Sequence, residues 1–229
     1  MDHTSTVYKK ELTDLRDTLM HMGGLVESQL KQVKRIVQQQ GSVVNAHIAL
    51  LEQEINRAQI SIDFQCTELI AIRQPVGIDL RRVLASMHII NDLERMGDEL
   101  KKCATWGQEL NEHAEMGKMR RASLFSMLEV LETMLALVLT ALAREDAAQA
   151  QEVFSLDLSL DNFFADTVRA QQAYMNSNPG LSRYCLDIIF MAKSFERVGD
   201  HAKNIAEAIG AIISGVDTRH QINQTKQTN

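Results

Sequence analysis

Leu80–Ala104, LRRVLASMHIINDLERMGDELKKCA, recurs without a gap as Ser182–Ala206, SRYCLDIIFMAKSFERVGDHAKNIA. With Glu94 registered on Glu196, Arg95 meets Arg197, Gly97 meets Gly199, Asp98 meets Asp200 and Lys101 meets Lys203. Placed on a helix at ~100° per residue, each copy separates into two faces. Ile89, Ile90, Leu93, Met96, Gly97, Leu100 and Ala104 form one broad apolar arc, matched by Met191, Ala192, Phe195, Val198, Gly199, Ala202 and Ala206. Asn91, Glu94, Asp98 and Lys101 form the opposite stripe, matched by Lys193, Glu196, Asp200 and Lys203. Core packing explains the first repetition. It leaves the second unexplained, because a merely solvated face does not need the same acids at the same places.

The glycines fall on the apolar arc, where the lack of a side chain lets a neighbouring helix approach closely. Each costs ~1 kcal/mol of helix propensity. The acid pairs at i and i+4 cost a further 0.2–0.5 kcal/mol, roughly, which lysines one turn on can offset.

Working outward, Leu12, Leu15, Leu19, Met22, Val26, Leu30, Val33 and Val37 step by three and four and predict one long amphipathic helix, ended at Gln40-Gly41-Ser42. A second helix runs through Val44, Ile48, Leu51, Ile55, Ile62, Cys66 and Leu69 to Ile72, and Arg73-Gln74-Pro75 opens a loop. Asp79 is a cap or first-turn acid for the Leu80 helix, which runs to about Asn111. Leu124, Met127, Leu131, Leu135, Val138 and Leu142 then repeat the first helix at an offset of 105, with a turn at Arg144-Glu145-Asp146. A fifth helix through Val153, Leu156, Leu160 and Phe164 stops at Asn176-Ser177-Asn178-Pro179-Gly180. The tail beyond Gly215 is expected to fray. The expected fold is all-α: two tandem three-helix bundles, residues 1–116 and 117–229, related by a pseudo-twofold internal repeat.

Composition agrees and removes several function classes. Two Pro and 11 Gly in 229 residues favour helix, and the 5% aromatic share beside 11 Met predicts cores of Leu, Ile, Val, Ala and Met. A formal charge of −6 without a basic run argues against nucleic-acid binding. Cys66, Cys103 and Cys185 are odd in number and far apart, which fits buried thiols in a reducing cytosol and no disulfide. No secretion signal is visible at the N-terminus. Met134–Ala143, the longest apolar run, is short of the ~20 residues a membrane span needs and reads as a buried helix centre.

The fifth helix adds Asp157 and Asp161, aligned with Glu52 and Asn56 on the second. Acids thus recur on adjacent helices, and oxygens from two helices converging there suit a hard divalent cation: magnesium, manganese, or iron held through carboxylates and water. The alternative is a solvated face with Asp98 paired to Lys101 or Lys102 and Asp200 to Lys203. A di-iron oxidase requires Glu-x-x-His on two helices, and no histidine follows a Glu by three residues. His88 and His201 do not match in the repeat, and a lone histidine there reads as structural or exposed. No phosphate loop or nucleophile elbow is present, so no enzyme is expected.

Met22-Gly23-Gly24-Leu25-Val26-Glu27, then Arg73-Gln74-Pro75 with Asp79-Leu80-Arg81, then Leu93-Glu94-Arg95-Met96-Gly97-Asp98, resemble the PhoU family of phosphate-signalling proteins over residues 5–214. The resemblance implies a cytoplasmic adaptor that represses phosphate-starvation genes. The partners it implies are the ATPase subunit of the phosphate ABC transporter and the sensor histidine kinase of the phosphate regulon. It further implies a homodimer, membrane contact only through partners, and in some members metal clusters on the acidic motifs. Carried over, the metal set is Glu94, Asp98, Asp157, Asp161, Glu196 and Asp200, and the partner-binding set is Arg95, Arg197, Asp79 and Arg81. Asn56 departs from the pattern and weakens the first half as a metal site. The rival expectation is a carboxylate-rich metal-buffering or structural bundle; a catalytic role would need stoichiometric redox-active iron.

Overall fold

The computed structural model describes residues 2–38, 44–112 and 121–215. Among them are six long helices: α1 (Asp2–Val37), α2 (Val44–Glu68), α3 (Gly77–Glu112), α4 (Ala122–Arg144), α5 (Ala147–Ser177) and α6 (Ser182–Ser214). The predicted all-α class, the helix order and the duplicated arrangement are all present. α1 begins ten residues before the first periodic leucine, at Asp2 rather than Leu12. The turn proposed at 40–42, the boundary at 116/117 and the tail after Gly215 lie outside the described residues.

The helix ends follow local chemistry. α2 passes into a single π-turn, Leu69–Arg73, before Gln74 closes it in the left-handed region at φ 48°. Asp79 is a first-turn acid of α3 and not its cap. Glu145, at φ 50°, ends α4, and the Asp146 carboxylate accepts from the amides of Ala148 and Gln149 to start α5.

Each half packs its three helices on one another, and α3 lies along α6 more extensively than any other pair, so one core runs through both halves. The two close approaches expected at the glycines are present. A Cβ on Gly97 would stand 3.2 Å from Ile55 Cδ1, and one on Gly199 would stand 2.3 Å from Leu160 Cδ2. α4 as a whole, and not only Met134–Ala143, is long and apolar enough to cross a membrane by length and composition; half of its most apolar window is buried in the bundle. The three cysteines are free and buried, and burial pushes the Cys66 thiol up to about 12.

Polar ties hold the halves at their rims. Arg82 makes a bidentate pair with Glu145 at 2.6 and 2.9 Å and also donates to Asp79, which accepts from the Tyr8 hydroxyl at 3.0 Å. Arg81 donates to the Ile212 carbonyl at 2.9 Å. Lys34 pairs with Glu132 at 2.6 Å, linking α1 to α4. The buried Arg121 donates to the Leu110 carbonyl, fastening the start of α4 to the end of α3.

The repeat fails at one buried position. Gln29 is fully buried with neither side-chain polar atom hydrogen-bonded, and its amide oxygen lies close to Gly97. At the corresponding place Met134 packs over Gly199. A buried, unmatched amide costs about 1–3 kcal/mol. Gln29→Met is therefore expected to raise stability by ~1–2 kcal/mol and Met134→Gln to lower it, read from urea midpoints; a destabilised Gln29→Met would show that the amide is satisfied.

Candidate functional site: the duplicated acidic seams

Each half brings its Glu-Arg-x-Gly-Asp helix against the helix before it in the chain, so that one acidic seam lies between α2 and α3 and another between α5 and α6. In the first, Lys101 reaches across to Glu52 at 2.9 Å, and the Asn56 amide donates to Glu52 at 3.1 Å. In the second, Lys203 reaches across to Asp157 at 2.8 Å. Lys101 and Lys203 are equivalent in the repeat, as are Glu52 and Asp157. The alternative reading, in which these lysines pair with Asp98 and Asp200 on their own helices, is thus corrected: a lysine leaving its helix toward the neighbour meets the acid there instead. Lys102 turns away from this seam and pairs with Glu99 at 2.7 Å.

The lysines leave each seam short of positive charge. Burial, then the neighbouring Asp98, push the Glu94 carboxyl above its ordinary range, with Glu52 adding to the effect and Arg95 opposing it. Burial, then Glu196 and Asp157, raise Asp200, with Asp161 adding and Lys203 opposing. Burial pulls the Lys203 ammonium down, but the Asp157 hydrogen bond and the Asp157, Asp200 and Glu207 charges outweigh it, and the net shift is upward. Asp157 is 4% exposed, whereas Asp161 is on the surface. Glu196 is held by Lys193 at 2.5 Å.

The structure therefore gathers Asp157, Asp161, Glu196 and Asp200 into one electrostatic neighbourhood and Glu52, Glu94 and Asp98 into another. The donor chemistry suits a hard cation, but as the described side chains stand they do not converge on one point. Among the described residues no three His, Cys, Asp or Glu side chains are grouped to hold an ion, and a lysine ammonium already bridges each seam.

Of the residues expected to meet partners, Arg95 and Arg197 present side chains 66% and 53% exposed. Asp79 and Arg81 are engaged within the chain, with Tyr8 and Arg82 and with the Ile212 carbonyl.

A second polar line was not foreseen. α3 and α6 run antiparallel, and between them Asp92 Oδ1 lies 2.9 Å from His201 Nδ1 and 3.0 Å from the Asn204 amide nitrogen. Glu99 accepts from the Ser194 hydroxyl at 2.6 Å and from Arg197 at 3.1 Å. Burial raises the Glu99 carboxyl, but hydrogen bonds from Lys102, Ser194 and Arg197 outweigh it and hold the group below its ordinary range. The sequence signal was present one position along from the stripe that was read: Asp92 with Glu99 and Ser194 with His201, each seven apart on one helix face.

This is a two-repeat helical bundle carrying one duplicated Glu-Arg-x-Gly-Asp element per half. The PhoU domain model matches it twice, at residues 19–107 and 124–209, and the chain belongs to the PhoU family. The phosphate-specific transport system accessory protein PhoU homolog of Pseudomonas aeruginosa is 34% identical over 95% of this chain and 90% of its own length. The accessory protein PhoU of Escherichia coli K12 is 33% identical over the same shares. A crystal structure of PhoU from Pseudomonas aeruginosa superposes with a TM-score of 0.86 at 32% identity over 91% of this chain and all of the other. The regulatory protein PhoU from Streptococcus pneumoniae, at 23% identity and a TM-score of 0.83 over 91% of this chain and 98% of its own, shares the fold.

Removing Lys203 strands the buried Asp157 carboxylate, so Lys203→Met is expected to cost ~2–4 kcal/mol in chemical denaturation. Lys101→Met, whose ammonium is half exposed, should cost less. Asp200 carries the opposite sign. Its folded pKa is raised, so the native state binds more protons than the unfolded one just above the ordinary carboxylate range, and stability falls as pH rises through that window. Asp200→Asn should raise the Tm at pH 7 and lose that gain below the carboxylate range; a pH-independent gain would mean that charge is not the cause.

Proposed function

We propose that this protein is a cytoplasmic adaptor and negative regulator of the phosphate-starvation response. It serves as an accessory protein of a phosphate-specific transport system, linking the transporter's ATPase subunit to the sensor histidine kinase of the phosphate regulon. What carries the reading is the match of 95% of the chain to accessory proteins of that system at 33–34% identity. The geometry supports it in kind: rigid helices display Arg95 and Arg197 beside acidic seams, and no catalytic constellation is needed. The adaptor binds one conformation of the ATPase and favours the phosphatase state of the kinase. Coupling then requires only a difference in affinity between two states, and equal affinity for both transporter states would remove the mechanism. Homodimerisation goes with the same reading.

The test is repression. In a deletion strain grown in rich phosphate, the wild-type chain is expected to restore repression of alkaline phosphatase. A helical Glu94→Ala/Asp98→Ala/Glu196→Ala/Asp200→Ala variant is expected not to. If the variant represses, the acids are not the signalling surface. If the deletion leaves repression intact, the regulatory role itself fails.

A second reading, a carboxylate-rich bundle that takes up iron, manganese or magnesium, is favoured by the raised Glu94 and Asp200 carboxyls, whose negative neighbours are only partly neutralised. Glu94 and Asp98 in the first half, and Asp157, Asp161, Glu196 and Asp200 in the second, would hold the ion. Asn56 makes the first half the weaker. Calorimetric titration with Mn²⁺ should give binding that Asp161→Asn/Asp200→Asn removes without loss of helix content. No binding by the parent chain sinks this reading.

A further inference from the structure

The Arg73-Gln74-Pro75 loop and Asp79 have no part in the acidic seams, yet the fold spends specific contacts on fixing them. Arg73 is clamped to Glu11 of α1 by two hydrogen bonds, at 2.8 and 2.6 Å. Asp79 is tied to Tyr8 of the same helix at 3.0 Å. Pro75 is buried. Gln74 and Gly77 both hold positive φ, 48° and 58°, which costs the glutamine a conformation L-residues seldom adopt. The loop is thus held rigidly from both ends.

What it displays is apolar. Ile72 is 62% exposed, Val76 79% and Ile78 40%. On the same end of α2, Phe64 is 68% exposed. Solvation of the turn does not require these residues, as the internal repeat demonstrates: the matching turn around Pro179–Leu181 exposes no large apolar side chain. Beside Ile72 opens a cavity of about 240 Å³ between α1 and α2, floored by Leu69 and rimmed by Asp14, Gln65 and Glu68. Among the described residues neither Asp14 nor Glu68 forms a close ion pair; the Arg73 guanidinium beside them is bound by Glu11 and also feels the Glu68 charge, so a rim of three carboxylates and one arginine stays net negative. A preorganised apolar ridge beside a net-negative rim has the form of a hot spot with an acidic edge.

We infer that the α2–α3 corner, Ile72 to Ile78 with the Asp14–Glu68 cleft, is a docking surface for an amphipathic helix of a partner protein that carries Lys or Arg beside its apolar stripe. The inference rests on the adaptor reading only for which partner supplies that helix. The ridge takes the apolar stripe, and Asp14 and Glu68 take its basic flank.

The test uses the full chain and two fluorescein-labelled model helices of equal length, one of Leu and Lys and one of Leu and Glu, followed by anisotropy. The Leu/Lys helix should bind at least about tenfold more tightly than the Leu/Glu helix. Ile72→Ser/Val76→Ser, at exposed positions and checked by circular dichroism, should weaken it by about tenfold or more. Asp14→Asn/Glu68→Gln should weaken it and flatten its salt dependence. Leu158→Ser, an exposed leucine of the other half, should leave it unchanged. Equal binding of the two helices, or equal losses in Ile72→Ser/Val76→Ser and Leu158→Ser, overturns the proposal. So does a sedimentation shift in which Ile72→Ser/Val76→Ser dissolves a dimer while peptide affinity stays the same, since the ridge then covers a second copy. Repression of alkaline phosphatase is scored separately. If the parent chain binds the Leu/Lys helix as expected but fails to repress, the adaptor role fails and the docking surface stands.

Discussion

The antiparallel contact of α3 with α6 is the constraint on which the rest depends. Both helices carry the duplicated element, and each uses three directions at once: an apolar arc into its own bundle, an acidic stripe toward the preceding helix, and a line of Asp92 and Glu99 or Ser194 and His201 toward its counterpart. A helix engaged on three sides has little freedom to rotate. A turn of one residue's angle, ~100°, would move the acids of the seam into the core. The orientation of Glu94, Asp98, Glu196 and Asp200 is therefore a property of the whole bundle.

Much of this was legible in the chain because it is written twice. The apolar periods located all six helices, and the shared Gly97 and Gly199 announced the close packing that the structure contains. The acids were found as a stripe, and Asp157 faces that stripe from the neighbouring helix, in contact with Lys203. Less legible was anything that depends on how far a long side chain reaches. Lys101 and Lys203 lie one turn from Asp98 and Asp200 in sequence, and helix geometry alone pairs them there; the neighbouring helix offers Glu52 and Asp157 instead. The start of α1 was missed because its first turns carry Lys9, Lys10 and Glu11 in place of a periodic apolar face. Glu11 turned out to clamp Arg73, a tie between residues 62 apart that no local pattern announces.

The two halves share a plan and differ in how they are finished. The second seam has the buried Asp157 and the added Asp161, where the first has a part-exposed Glu52 and an amide at Asn56. The first half buries an unmatched Gln29 where the second packs Met134, and its loop carries an apolar ridge where the second has a short Pro-Gly turn. Each difference trades stability or symmetry for local chemistry, and the pair of halves supplies its own control for judging which features the fold requires.

The seam between α3 and α6 also bears on why one chain holds both repeats. Two identical subunits meeting about a twofold axis must make every contact twice, with the same residues on both sides. A pair of first halves would set Asp92 against Glu99 at both contact points, acid on acid. A pair of second halves would set Ser194 against His201 twice, with no ion pair. Only the mixed pairing gives Asp92 a histidine and Glu99 a hydroxyl. Covalent fusion thus released this interface from having to be its own mirror, and the released interface in turn tells each half which partner is the right one.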